Sequence, residues 1–131
     1  IEQAEPGRRL PSNMAPTVAR TEDGRVLSTG SPGADRITTA MLQVLVNHIH
    51  FGLPLEAAIA QPRAHVEICA EGYRVAHEPG LPVAEVDLPC RPFDALSMYF
   101  GGVAVAEWGP ASGFVVAADP RRQGGTAVGG A

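Results

Sequence analysis

The chain has 131 residues, enough for one domain or a large piece of one. Its net charge of -4, with basic residues only singly or in pairs such as Arg8-Arg9 and Arg121-Arg122, argues against nucleic acid as the main partner. No apolar stretch reaches the roughly 18 residues that a membrane-spanning helix needs.

A hydrophobic fraction of 45% supplies a core, and with aromatics at only 5% that core must rest on Val, Leu, Ile, Ala and Met. With 15 Gly and 12 Pro, the chain is expected to form several short elements rather than a few long helices. It begins at Ile1 without an initiator Met or a signal-peptide pattern, and is expected to be a processed product or a piece of a longer precursor.

Residues 1–16 read as an extended segment, because Pro6, Gly7, Pro11 and Pro16 interrupt any helix. Thr17 to Arg20 and Arg25 to Thr29 are strand candidates joined at Asp23-Gly24, a strong hairpin signal. The small-residue loop Gly30-Ser31-Pro32-Gly33-Ala34-Asp35 follows. From Arg36 to about Phe51, Ile37, Met41, Val44, Leu45 and His48 recur at helical spacing, with Asp35 or Ser31 available as a cap and Gly52 as a stop. A second short helix is expected over Pro54 to Ala60, ended by Pro62.

Paired strands are expected at 64–68 and 72–77 around Glu71-Gly72, then an irregular Pro-rich stretch over 79–92 and a short helix from Phe93 to Phe100. Strands over Gly102 to Trp108 and Gly113 to Ala118 flank the Gly109-Pro110 turn, before a Gly-rich close lying on the surface. Strand pairs packed on helices suggest an α+β or layered α/β domain; the strand-like ends fit a sheet assembled from both halves, and the pattern leaves the topology open.

Two segments can carry chemistry. In Ser31-Pro32-Gly33-Ala34-Asp35-Arg36-Ile37, between a strand and a helix, the first N–H groups of the helix have no internal partner and favour negative charge. Gly33 allows close approach to a ligand, so successive N–H groups there can stabilise an oxyanion. The same residues equally describe a plain strand-to-helix turn. In Ser12-Asn13-Met14-Ala15-Pro16-Thr17 a hydroxyl and an amide stand side by side and can receive a carboxylate or ammonium; a polar turn before a strand is the alternative.

Taken in order, Pro6-Gly7-Arg8-Arg9-Leu10-Pro11-Ser12-Asn13-Met14-Ala15-Pro16-Thr17, the Asp23-Gly24 hairpin and Gly30-Ser31-Pro32-Gly33-Ala34-Asp35-Arg36-Ile37 resemble the γ-glutamyltranspeptidase family. So do Thr38 to Asn47, Phe51-Gly52, Glu56-Ala57, Ala60-Gln61-Pro62-Arg63 and the closing Ala117-Ala118-Asp119-Pro120-Arg121-Arg122. The likeness is dense over about 6–63 and 113–129 and weak between.

The resemblance implies an N-terminal-nucleophile hydrolase fold of stacked αββα layers, of which residues 1–131 are the C-terminal part of the small subunit. It implies a precursor that cleaves itself to expose a Thr whose own α-amino group is the general base, acting on a γ-glutamyl donor such as glutathione with no cofactor. By position, Ser12 and Asn13 match the pair that holds the donor α-carboxylate, and Gly33 and Ala34 match the pair whose N–H groups form the oxyanion hole. Asn13 stands where the family has Ser, Ala34 where it has Gly and Asp35 where it has Ser, which leaves room for other acyl amides, such as a cephalosporin-acylase-like substrate. Thr17, Thr21, Thr29, Thr38 and Thr39 lie within or after the matched motifs, so the nucleophile is expected upstream and the isolated chain inactive.

The rival expectation is a non-catalytic binding or assembly domain of the same fold. No metal is expected: His48 and His50 diverge on a helix, and His65 and His77 lack ligands at metal spacing. Cys69 and Cys90 are too far apart for a CxxC motif, and pairing or two free thiols are both open. No Ser lies in a GxSxG elbow. Arg121-Arg122 alone reads as a solvated pair, though the resemblance implies a structural role, and Trp108 reads as a packing residue.

Overall fold

A computed structural model describes residues 5–9 and 12–129. Leu10 and Pro11 of the first motif, the first four residues and the last two lie outside the described residues.

The amino-terminal hairpin forms as the sequence dictates. β1 (Thr17–Arg20) and β2 (Val26–Gly30) pair antiparallel, with Gly24 at φ +87° in the turn and the Thr21 N–H donating to Arg25 O at 3.0 Å. β2 next pairs with β6 (Ala104–Gly109), and β6 with β7 (Gly113–Ala118), giving an antiparallel sheet in the order β1-β2-β6-β7 that joins both ends of the chain. A second sheet holds β3 (Ala64–Cys69), antiparallel to β4 (Gly72–His77), and β5 (Cys90–Pro92), parallel to β4.

The predicted helix after the loop is really three turns in series. A 3-10 turn at Ala34–Arg36 leads into α1 (Ile37–Leu45), which widens into a π-helical turn over Val46–His50 before Gly52 at φ +70° stops it. Neither expected cap operates. Asp35 lies inside the 3-10 turn with its carboxylate engaged by Asn13, and the Ser31 hydroxyl is engaged by Gly102 and Pro32. α2 (Leu55–Ala60) follows, with Pro54 just before it.

Two expectations fail between 79 and 100. Residues 90–92 are not irregular, because the Val75 N–H donates to Pro89 O and Phe93 N–H to His77 O, pinning β5 along β4. The helix predicted from Phe93 to Phe100 is only a 3-10 turn at Met98–Phe100. Phe93 and Ser97 spend their N–H groups outside a helix, on His77 O and the Glu78 carboxylate, and the Ser97 hydroxyl caps what remains.

α1 and α2 lie on one face of the β1-β2-β6-β7 sheet. Alternate strand residues Leu27, Val105 and Ala117 meet Ala40, Val44, Leu55, Ile59 and Val103 there in a core that is aliphatic, as the composition requires. The other face carries Val18, Val26, Trp108 and Phe114 open to solvent; Trp108, predicted as a packing residue, is 40% exposed there beside Phe114. No helix among the described residues is long and apolar enough to cross a membrane.

Arg121, which reads as solvated on its own and as structural by the resemblance, is buried and anchors the fold, while Arg122 is exposed. Arg121 pairs with Glu78 through Nε at 2.7 Å and through Nη2, and with Asp119 Oδ1 at 3.1 Å; Arg63 Nη2 pairs with Asp119 Oδ2 at 2.7 Å. Two guanidinium and two carboxylate groups thus cancel inside the protein. Burial alone would push the Asp119 carboxyl up, but the charge of Arg63 and N–H donation from Val103 and Arg121 outweigh it and hold it below its ordinary value.

Removing one carboxylate leaves two buried cations against a single anion. Asp119→Ala is therefore expected to destabilise the protein by about 3–5 kcal/mol, read as a large fall in the thermal or urea midpoint.

Candidate active-site turn

The loop after β2 is built from backbone that ordinary residues avoid. Gly33 stands at φ +138° and Ala34 at φ +50°, the left-handed region where a Cβ is disfavoured by about 1 kcal/mol or more. What holds it there is the segment Ser97–Gly102. A Cβ on Gly33 would meet Gly101 Cα at 3.1 Å, and a Cβ on Gly101 would meet Ser31 Oγ at 2.8 Å and Pro32 O at 3.0 Å, so the two backbones touch directly. The Gly102 N–H donates to Ser31 Oγ at 3.1 Å, and Arg36 Nε donates to Tyr99 O at 3.1 Å while its guanidinium lies 4.6 Å from the centre of the Tyr99 ring.

In this conformation neither the Gly33 N–H nor the Ala34 N–H has an acceptor among the described residues, and Ala34 is exposed. The structure brings the second predicted segment to the same place. Asn13 Nδ2 donates to Asp35 Oδ1 at 2.6 Å, and Ser12 Oγ accepts the Met14 N–H at 3.3 Å, which leaves its own O–H available. The Asn13–Asp35 bond thus joins the Ser12-Asn13 segment to the turn next to Ala34, where Ser12, Asn13 and Ala34 are exposed and Gly33 is half-buried.

Behind Tyr99 lies a group of residues that the sequence did not single out. Glu67 on β3 accepts from Tyr99 Oη, from Arg74 Nε and, at 2.7 Å, from Arg91 Nη1. Burial would raise the Glu67 carboxyl, but these three donors and the nearby Arg74 charge bring it down to about 2. Tyr99 is pushed up from its ordinary value by burial and by its bond to Glu67. His65 donates to or accepts from Thr39 Oγ1 at 3.0 Å and is shifted down, by burial first and then by the Arg36 charge. The Gly101-Gly102 doublet was the one readable sign that a backbone approaches closely here.

Other candidates lie elsewhere. His48 bonds Leu53 O at 2.7 Å and Glu107 at 3.0 Å, beside a cleft of about 270 Å³ at the hairpin end of β2, the opposite end from the turn. Cys69 and Cys90 are both free thiols.

A helix-backed sheet whose strand-to-helix turn presents free N–H groups is part of an N-terminal-nucleophile hydrolase fold, as its structural neighbours bear out. The transpeptidase enzyme CapD of Bacillus anthracis superposes with a TM-score of 0.79 at 29% identity, covering 97% of this chain and 77% of that one. A highly active mutant of the gamma-glutamyltranspeptidase from Pseudomonas nitroreducens superposes with a TM-score of 0.73 at 28% identity, covering 98% and 66%.

Residues 1–129 match the gamma-glutamyltranspeptidase family model, and the chain belongs to that family. The glutathione hydrolase proenzyme of Pseudomonas aeruginosa is 48% identical over 65 residues, 49% of this chain. The matched stretch spans only 12% of that relative's length.

Since Glu67 is depressed from 4.5 to about 2, the stability it contributes is full above pH 4.5 and is lost as pH falls towards 2. Glu67→Gln is expected to flatten the decline of the thermal midpoint over that window. A second outcome concerns the backbone contact: Gly101→Ala, which places a methyl at φ +85° against Ser31 and Pro32, is expected to lower the thermal midpoint.

Proposed function

We propose that this chain is the C-terminal part of the small subunit of a γ-glutamyl acyl-transfer enzyme, a transpeptidase or hydrolase of glutathione-like γ-glutamyl amides. The observation that carries the reading is the pair of N–H groups at Gly33 and Ala34 that have no acceptor among the described residues, held in a strained turn that Asn13 meets through Asp35.

In this reading a Thr from the rest of the precursor attacks the γ-carbonyl carbon as its own α-amino group takes the hydroxyl proton. Negative charge develops on the carbonyl oxygen, and the Gly33 and Ala34 N–H groups receive it. Because the turn is fixed in advance, no reorganisation is needed at that moment, and the donors act more strongly on the transition state than on the ground state. Collapse expels the amine, which takes the proton, and leaves an acyl-enzyme for water or an acceptor amine to resolve. Ser12 and Asn13 fix the far end of the donor.

The large subunit and the rest of the small subunit are the partners this reading requires. They would cover the sheet face where Val18, Trp108 and Phe114 stand exposed, which fits a chain matching only about an eighth of its relative's length. On its own the chain would then be inactive.

The test is to express the full-length precursor and follow its splitting into two chains and its release of p-nitroaniline from γ-glutamyl-p-nitroanilide. A precursor that stays intact and turns over no γ-glutamyl amide would leave the non-catalytic assembly domain as the better reading. Within an active enzyme, Ala34→Pro is expected to lower kcat by about 10²–10³-fold with a smaller change in KM, because it removes one donor and its required φ. Ser12→Ala is expected mainly to raise KM.

A further inference from the structure

The clamp is chemically different from a pair of hydroxyls. Asn13 Nδ2 already donates to Asp35 Oδ1 at 2.6 Å, and the amide must be oriented this way because a carboxylate only accepts. The Asn13 carbonyl oxygen and the second Asp35 oxygen have no donor among the described residues, and Asp35 is in no ion pair there. The neighbouring Arg36 does not neutralise it, since its guanidinium is turned onto Tyr99. Ser12 keeps its O–H to donate. The patch therefore offers two free donors, the Ser12 hydroxyl and the second Asn13 N–H, beside an acidic, acceptor-rich edge.

A donor α-carboxylate sharing the Asn13 amide with Asp35 would place two anionic oxygens about 5 Å apart. Their repulsion spans about fourfold to several hundredfold in affinity between the dielectric of bulk water and that of a protein surface. A carboxamide is matched instead: its C=O accepts from Ser12, and its N–H donates to Asp35. We propose that Asp35 makes this site select acyl donors whose α-carboxyl is masked as an amide, such as a γ-glutamyl unit peptide-bonded through its α-carboxyl, over donors with a free α-carboxylate. The proposal rests on the acyl-transfer reading and on Ser12 and Asn13 being the donor clamp.

The processed full-length protein is assayed with γ-glutamyl-p-nitroanilide and with the same compound carrying an α-carboxamide. The carboxamide is expected to be favoured at least about tenfold in kcat/KM. Because the discriminating charge is exposed, the preference should shrink as salt rises from about 0.05 to 0.5 M. Asp35→Asn, which keeps the volume and an acceptor for Asn13 but drops the charge, should cut the ratio of the two donors by at least about tenfold and abolish its salt dependence. A residue with a merely structural role would change both donors alike.

A wild-type enzyme that prefers the free carboxylate, with a ratio Asp35→Asn leaves within about threefold, overturns the proposal while the acyl-transfer reading stands. If neither compound is turned over, that reading fails and this proposal with it. The wild-type ratio and its salt dependence need no variant, so a poorly folding Asp35→Asn leaves the proposal decidable.

Discussion

Four buried charges, Arg63, Glu78, Asp119 and Arg121, impose the strongest constraint on this chain. Removing such groups from water costs several kcal/mol each, and only close pairing with satisfied hydrogen bonds offsets it. The satisfaction here is dense: the Glu78 carboxylate also takes the N–H groups of Arg63 and Ser97, and Asp119 takes those of Val103 and Arg121. The guanidinium groups in turn hold the carbonyls of Ile59, Gln61 and Phe100. Because these partners lie on α2, the end of β4, the segment after Ser97 and the end of β7, the charges can be satisfied only when all four meet. A well-packed apolar cluster can match such a network in stability but tolerates more arrangements, so what the ions add here is one register for the chain's second half.

That register reaches the Gly33-Ala34 turn through backbone. Glu78 fixes Ser97, Arg63 fixes the carbonyl of Phe100, and the next residue, Gly101, lies directly against Gly33. The strain at Ala34 persists because this surrounding structure leaves the turn no relaxed alternative. From the other side, the Glu67–Tyr99–Arg36 series seats the 3-10 turn at the start of α1. The turn is thus exposed at Ala34 and Asp35 and supported behind by the segment Ser97–Gly102, which both sets of polar contacts hold.

Local patterns in the sequence made the local structure legible. Asp23-Gly24 marked the hairpin, helical spacing marked α1, and Gly52 marked its end, since each is decided by neighbours a few residues away. The candidate residues Ser12, Asn13, Gly33 and Ala34 came from motif order, and the fold joins their two segments through the Asn13–Asp35 hydrogen bond. The helix expected over Phe93 to Phe100 failed because its N–H donors are claimed by His77 and Glu78, partners invisible to a periodicity argument. For the same reason Arg121 looked solvated: its carboxylate Glu78 lies 43 positions away, and nothing local marks the pair. Long-range polar contacts are what a single sequence hides, and they are what this fold is fastened with.

The placement of the turn follows from the sheet. β2 has one face on the helices and the other open, and the chain leaves it at Gly30 to form Gly33 and Ala34 at the sheet's end. The helix face, by contrast, is sealed by Leu27, Val44 and Val105. The chain thus contributes donors and a carboxylate at a rim, while the attacking hydroxyl and its base, in the reading proposed, arrive with whatever covers the open face. In the reading proposed, the charge-stabilising half of the reaction is separate from its nucleophilic half, which suits maturation by cleavage, because the strained turn can be built by folding before the nucleophile is released.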